Sequence, residues 1–248
     1  MKRGNNEVII VERTSYKITT EDEGWKKVYK YNFHTHTSDV SPCGNVSAEI
    51  VVREHKEAGY QGIAITDHCW PGFVDPRRGD PWRKTYEFFK SGYAAAKAEG
   101  DKIGLDVFFA MELRFDENYN DYLVFGLSDE FVLANKNLSE LTLATFREKT
   151  KDLDVLIFQA HPFRNMMKLM PAKLLDGVEI FNANERHDSR NHLAEAFAKE
   201  HNLIGISGSD YHELHDISRG GILTDVRIKN EKDLNRILRA RDFEVILK

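Results

Sequence analysis

The sequence predicts an α/β protein whose core is a parallel β-barrel, and three observations predict it. Short, continuously apolar runs alternate with helical stretches, the pattern of a parallel sheet covered on both faces. About seven such units occur in 248 residues, close to the length at which barrel domains close. Histidines and carboxylates recur at the downstream ends of the apolar runs, the rim where a parallel barrel gathers its functional side chains.

Residues 1–248 read as one domain, with no internal repeat, low-complexity tract or linker, and charged residues 1–27 are expected to add a strand or hairpin. The run VYKYNF (28–33) is the first barrel strand and leads into His34. SAEIVVREHKEAG (47–59) reads as a helix, with Ser47 as N-cap and Gly59 just past its end. GIAIT (62–66) is a short strand stopping at Asp67 and His68, and a Pro- and Gly-rich insertion follows. A helical stretch over 86–100 precedes DVFFAME (106–112) and the shorter DYLVFG (121–126). A helix near 139–151 leads to DVLIFQA (154–160), which ends at His161 and Pro162. DGVEIFNAN (176–184), a helix near 189–201, NLIGISGSDYH (202–212) and an amphipathic helix over 231–243 complete the chain. His55 and His201 fall inside helical patterns and read as surface residues.

Composition narrows the function. A formal charge of −5 gives no general attraction to extended nucleic acid or to an anionic membrane. No apolar run is long enough to span a bilayer, and charges interrupt the N-terminal stretch too early for a signal peptide, so the expected compartment is the cytoplasm. Two cysteines, Cys43 and Cys69, exclude a disulfide framework and read as structural.

The residues that carry chemistry are His34, His36, Asp67, His68, Glu112, His161, Asp210 and His212, spread over five strand ends. Residues i and i+2 of a strand share a face, so His34 and His36 can grip one ion while Thr35 turns away, and Asp210 and His212 repeat that spacing. Ionisable groups gathered in this way need partners, and divalent cations suit a ring of imidazoles and carboxylates. Asp67 reads as an orienting residue rather than a ligand.

The motifs HTH (34–36), ITDH (65–68), MEL (111–113), AHP (160–162) and GSDYH (208–212) resemble the PHP family, named for polymerase and histidinol phosphatase, over residues 31 to about 225. The resemblance implies a distorted (β/α)7 barrel holding two or three divalent metal ions, commonly Zn, Mn or Fe. Many members hydrolyse phosphate esters, and some act on nucleic acid ends or accompany bacterial replicative polymerases. Carried over residue by residue, it implies a first ion on His34, His36 and Asp210, with Glu112 bridging to a second ion on His161. It places a third on His68 and His212, joined by Asp39. The family's further histidine for the second ion is missing from residues 118–131, where Asp121 or Asp129 is the available substitute.

Arg164 is placed to clamp a phosphate, and Asn182, Asn184, Arg186 and His187 end a strand where substrate would sit. Arg77, Arg78 and Arg83 in the insertion read as a solvated loop or as an anion-attracting lid over the rim, and Trp70 and Trp82 line a mouth or pack the segment. The expected activity is hydrolysis of a small phosphorylated metabolite, such as histidinol phosphate or a nucleotide, by metal-activated hydroxide, with Glu112, Asp210, His212 and Arg164 as the catalytic set. Amidohydrolase-type cleavage of C–N or C–O bonds, and a metal-stabilised regulatory domain whose catalysis has lapsed, are the competing readings.

Overall fold

Every apolar run forms a strand in a computed structural model that describes residues 8–12, 15–20, 23–70, 82–136, 138–217 and 219–247. The strands are β1 (Val8–Glu12), β2 (Ser15–Thr20), β3 (Glu23–Asn32), β4 (Gly62–Ile65), β5 (His68–Cys69) and β6 (Asp106–Arg114). They continue with β7 (Asp121–Phe125), β8 (Leu156–Gln159), β9 (Gly177–Asn182), β10 (Ile204–Gly208), β11 (Ile222–Thr224) and β12 (Glu244–Val245). The helices are α1 (Ala48–Glu57), α2 (Trp82–Phe89), α3 (Ser91–Ile103), α4 (Asp129–Ala134), α5 (Leu143–Thr150), α6 (Asn191–Glu200) and α7 (Glu231–Ala240).

Strand order runs β1-β2-β3-β4-β6-β7-β8-β9-β10, with β11 and β12 added beside β3 and β5 beside β6. β1, β2 and the start of β3 pair antiparallel. Beyond β3 the sheet curls until a parallel bridge joins Thr35 to Tyr211, with the His36 amide donating to the Tyr211 carbonyl at 3.0 Å. The result is a nearly closed barrel of mixed direction.

The purely parallel expectation fails at β11, which pairs antiparallel with β3, and at β7. β7 is antiparallel to both β6 and β8. Residues 115–120 are too short for the crossover that parallel neighbours need, a dozen residues or more, so the chain turns straight back. This reversal puts the start of β7, not its end, at the rim that the other strands reach with their C-termini.

Alternate residues of the central strands fall into two buried clusters, which is why the runs carry no polar interruption. Phe108, Ala110, Leu123, Phe125, Leu156 and Phe158 share one cluster with Ile206 and with Leu234, Ile237 and Leu238 of α7. Met111, Leu113, Tyr122, Val124 and Ile157 pack into the other, with Phe146 of α5 and Phe197 of α6. Burying each such side chain contributes on the order of 1.5–3 kcal/mol. α7 is the amphipathic helix the sequence predicts, N-capped by the Asn230 side chain, which accepts from the Asp233 amide at 2.9 Å. Asn235 of α7 donates to the Asp154 carbonyl just before β8, so α7 closes the barrel end away from the rim. At that end Gly126 leaves β7 with φ 86, where a Cβ would stand 2.2 Å from the Asp154 carbonyl oxygen, so only glycine fits.

α1 begins after Ser47 and is followed by Gly59 in the left-handed region, as expected, but the Ser47 side chain makes no capping bond. His55 departs from its surface assignment. It is fully buried on the barrel side of α1, its Nδ1 at 2.7 Å from the Val51 carbonyl and its Nε2 at 3.0 Å from Asn32 Nδ2. Its helical period could not reveal which face the barrel covers.

Candidate metal centre

The strand ends converge. His34 and His36 follow β3, His68 starts β5, Glu112 lies near the end of β6, His161 follows β8, and Asp210 and His212 follow β10. Along β6 the alternation that buries Phe108 and Ala110 on the inner face carries Glu112 to the same face. Gly208 lets β10 come close, since a Cβ there would lie 2.4 Å from the Cβ of His34. His161 (φ 29) and Asp210 (φ 50) hold positive φ, a strain of order 1–3 kcal/mol each that a functional position tolerates.

Three groups have ligand atoms within 4.8 Å of one another: His34, His36 and Asp210; His34, Glu112 and His161; and His36, His68 and His212. Glu112 sits between them. Its Oε1 is 3.2 Å from both His34 Nε2 and His161 Nε2, and its Oε2 is 2.6 Å from His68 Nδ1 and 3.4 Å from His36 Nε2. Asp210 Oδ1 is 3.3 Å from His34 Nε2 and 3.4 Å from His36 Nε2. Yet His34 Nε2, His36 Nε2, Glu112 Oε2 and His161 Nδ1 are buried without a hydrogen-bond partner. Buried polar atoms are rarely left so. Several nitrogens and carboxylate oxygens crowd one another without bonding, which is the geometry of donors aimed at shared points, and the His/carboxylate set suits divalent ions.

A second layer holds these donors in place. Glu179 on β9, fully enclosed, accepts His34 Nδ1–H at 2.8 Å on one oxygen; its other oxygen takes the His161 amide at 3.0 Å and Asn182 Nδ2 at 2.9 Å. A carboxylate on Nδ1 fixes the proton there and leaves Nε2 as the lone pair facing the site. His212 Nδ1 is held in the same way by the Asp210 carbonyl at 2.8 Å. Asp67 orients rather than coordinates: it accepts from the Thr37 amide, the Thr37 hydroxyl and the Ser41 hydroxyl at 2.7–2.8 Å.

The electrostatics call for cations. Burial favours neutral Glu112 and Asp210, but facing imidazoles, joined by Arg164 for Asp210, hold both carboxyls well below their usual range. Burial opposes a charge on His34 and His68, yet Glu179, Asp210 and Glu112 raise His34 well above its ordinary value, and Glu112 with Cys43 brings His68 to about 10. Burial and the neighbouring His68 and His212 rings push His36 well below its ordinary value. Burial raises Asp67 to about 6.

A cavity of about 310 Å³ opens over these groups, lined also by Cys43, Trp70, Arg114, Asp121, Arg164, Asn184, Arg186 and His187. Arg164 Nη2 donates to Asp210 Oδ2 at 2.7 Å, while its buried Nε has no partner. Arg186 is engaged by Glu213 and Asp216, both at 3.0 Å. Asn182 uses its side chain on Glu179, Asp210 and Arg164. Of the two proposed substitutes for the missing histidine, Asp121 is at the rim, because β7 runs backwards. It is paired with Arg114 through two 2.8 Å bonds and takes Trp70 Nε1 at 3.1 Å, with Oδ2 4.0 Å from His161 Nε2. Asp129 is elsewhere, bound to Lys90 and Tyr86 at the start of α4.

Asp39 Oδ2 accepts the Ala48 amide at 2.8 Å, taking the capping role that Ser47 leaves, and Asp39, like Cys43, is in none of the three donor groups. Cys43 Sγ contacts both His68 Nε2 and His212 Nε2. Glu179 and Cys43 had no signal beyond their residue types. Arg83 is exposed in the first turn of α2, Trp82 donates to the Val132 carbonyl, and Cys69 is buried; Arg77 and Arg78 lie outside the described residues.

A family model for the PHP domain matches residues 32–242. The chain belongs to the PHP domain family. Among curated proteins, DNA polymerase III subunit alpha of Aquifex aeolicus is 28% identical over 130 residues, which make up 47% of this chain and 10% of that protein. The chain thus matches only a small part of that relative. A two-domain protein of Bacteroides vulgatus, containing a predicted PHP-like metal-dependent phosphoesterase, superposes with TM-score 0.69 at 17% identity, over 100% of this chain and 70% of that one. A lesion-specific endonuclease of Pyrococcus furiosus superposes with TM-score 0.60 at 15% identity, over 88% of this chain and 57% of its own. At these identities the structural likenesses establish the PHP fold alone.

Proposed function

We propose that this PHP protein is a metal-dependent phosphoesterase acting on a small phosphorylated metabolite, of the histidinol phosphate or nucleotide kind. The observation that carries the reading is the convergence of buried, partnerless ligand atoms from His34, His36 and Glu112, with His161 Nε2 on Glu112 Oε1, beneath an open cavity. His34, His36 and Asp210 would hold one ion, Glu112 and His161 a second, and His68 and His212 a third. Divalent ions there supply Lewis acidity, which acidifies water and offsets charge on phosphoryl oxygens.

The chain's own residues do the rest. The Arg164 guanidinium, anchored on Asp210, keeps its Nε free for a phosphoryl oxygen and so fixes the anion beside the donors. Asn184 and His187 border the same cavity and would contact the esterified group. A space of about 310 Å³ suits a metabolite better than a duplex, and the −5 charge points the same way. Among the described residues no helix is long and apolar enough to cross a membrane.

The test is turnover of p-nitrophenyl phosphate, histidinol phosphate and nucleoside monophosphates before chelation, after it, and after return of Zn or Mn. Turnover lost and then restored is expected. Phosphatase activity that survives exhaustive chelation rejects the proposal; cleavage of lactones or cyclic amides alone would move the protein to the amidohydrolase class.

A further inference from the structure

We propose that Cys43 is a metal ligand, its thiolate completing a three-atom donor set with His68 Nε2 and His212 Nε2 that prefers zinc to manganese. The inference rests on the metal-dependent reading above and adds a donor of a different chemical class to it. Cys43 Sγ lies 3.1 Å from His68 Nε2 and 3.2 Å from His212 Nε2.

The Nδ1 of His212 is 2.8 Å from the Asp210 carbonyl, which only accepts, so a neutral His212 carries its proton on Nδ1 and turns an Nε2 lone pair toward the sulfur. His68 brings its own Nε2 to the same sulfur, with its Nδ1 2.6 Å from Glu112 Oε2. Two imidazole nitrogens on one sulfur form a set of ligand atoms that one cation can share. Tetrahedral zinc with Zn–S about 2.3 Å and Zn–N about 2.0–2.1 Å puts sulfur and nitrogen about 3.6 Å apart, a few tenths of an ångström from the observed spacings. A second observation points to the same place. His36 Nε2 is fully buried without a hydrogen-bond partner, and the His36 ring centre stands 4.2 Å from that of His68 and 4.3 Å from that of His212.

Cys43 lines the cavity and is exposed, so the position is open to exchange with solvent and to substrate. Thiolate is a soft donor that suits zinc, whereas the His and carboxylate groups around Glu112 accept zinc, manganese or iron. The centre therefore holds positions of two selectivities.

The test is cobalt substitution of the whole chain, with elemental analysis and zinc–manganese competition. The wild type should show intense near-ultraviolet thiolate-to-cobalt charge transfer. Cys43→Ser should lose that band and one tightly held zinc equivalent, weakening zinc at that position by more than the ~10–100-fold typical of losing a ligand's outer partner. Cys69→Ala should keep both. Cobalt bound without the band in the wild type, or a band kept in Cys43→Ser, overturns the ligand assignment while leaving the phosphoesterase reading intact. Wild-type protein that binds no metal overturns both.

Discussion

Replacing Glu179 by glutamine tests how the first donor group is set. The carboxylate accepts three hydrogen bonds, from His34 Nδ1, the His161 amide and Asn182 Nδ2. Glutamine is isosteric but carries one acceptor oxygen and one amide nitrogen that only donates. Its oxygen satisfies the two donors that cannot change, the His161 amide and Asn182, so its amide nitrogen turns to His34. His34 must then accept on Nδ1 and protonate Nε2, the atom 3.2 Å from Glu112 and 3.3 Å from Asp210. A protonated Nε2 cannot ligate. Restoring the ligating tautomer breaks a buried hydrogen bond at about 1–3 kcal/mol, or roughly 10–100-fold in metal affinity at 1.4 kcal/mol per decade. Glutamine re-pairs these bonds but removes the charge that raises His34, so the metal-free variant should stay folded with a loss of about 1–3 kcal/mol. Chelator competition reads the affinity, and denaturant unfolding of metal-free protein reads the stability. Zinc binding within about twofold of wild type, in a folded variant, would refute the tautomer argument.

Arg164→Ala should lower kcat/KM on phosphate monoesters by about 10–100-fold, the worth of a charge-assisted bond, and weaken inhibition by inorganic phosphate; unchanged phosphate inhibition would remove Arg164 from the anion site. Gly208→Ala should cost about 1–3 kcal/mol of stability from overpacking and displace His34, because the new Cβ meets His34 Cβ at 2.4 Å and Glu179 Oε1 at 2.7 Å; an unaltered metal titration would contradict this. His55 is held to about 4 by burial, against an unfolded value of 6.5. The unfolded chain binds the extra proton, so this contribution is complete above pH 6.5 and is lost as pH falls toward 4. Metal-free wild type should therefore lose about 3 kcal/mol more than His55→Gln between about pH 7 and about pH 4, measured by denaturant unfolding, and equal losses would show that His55 is not buried neutral.

Local pattern alone determined the apolar barrel strands and most helices, though not the short β5, β11 and β12, because an apolar run of four to six residues with a polar end has few other uses in a chain of this size. The pairs His34/His36 and Asp210/His212 were legible for the same reason: period-two spacing is a local property. Tertiary structure decided everything that depended on a distant partner. Asp121 rather than Asp129 faces the rim because residues 115–120 reverse β7. Cys43 meets His68 and His212 while an Asp39 oxygen caps the α1 amide, contacts that neither residue's neighbours in the chain reveal. Glu179, 145 residues from His34, was one carboxylate among many until β9 brought it beneath the imidazole. A side chain's role at this rim is set by which strand ends lie beside it, and barrel closure, not the neighbouring residues in the chain, chooses those.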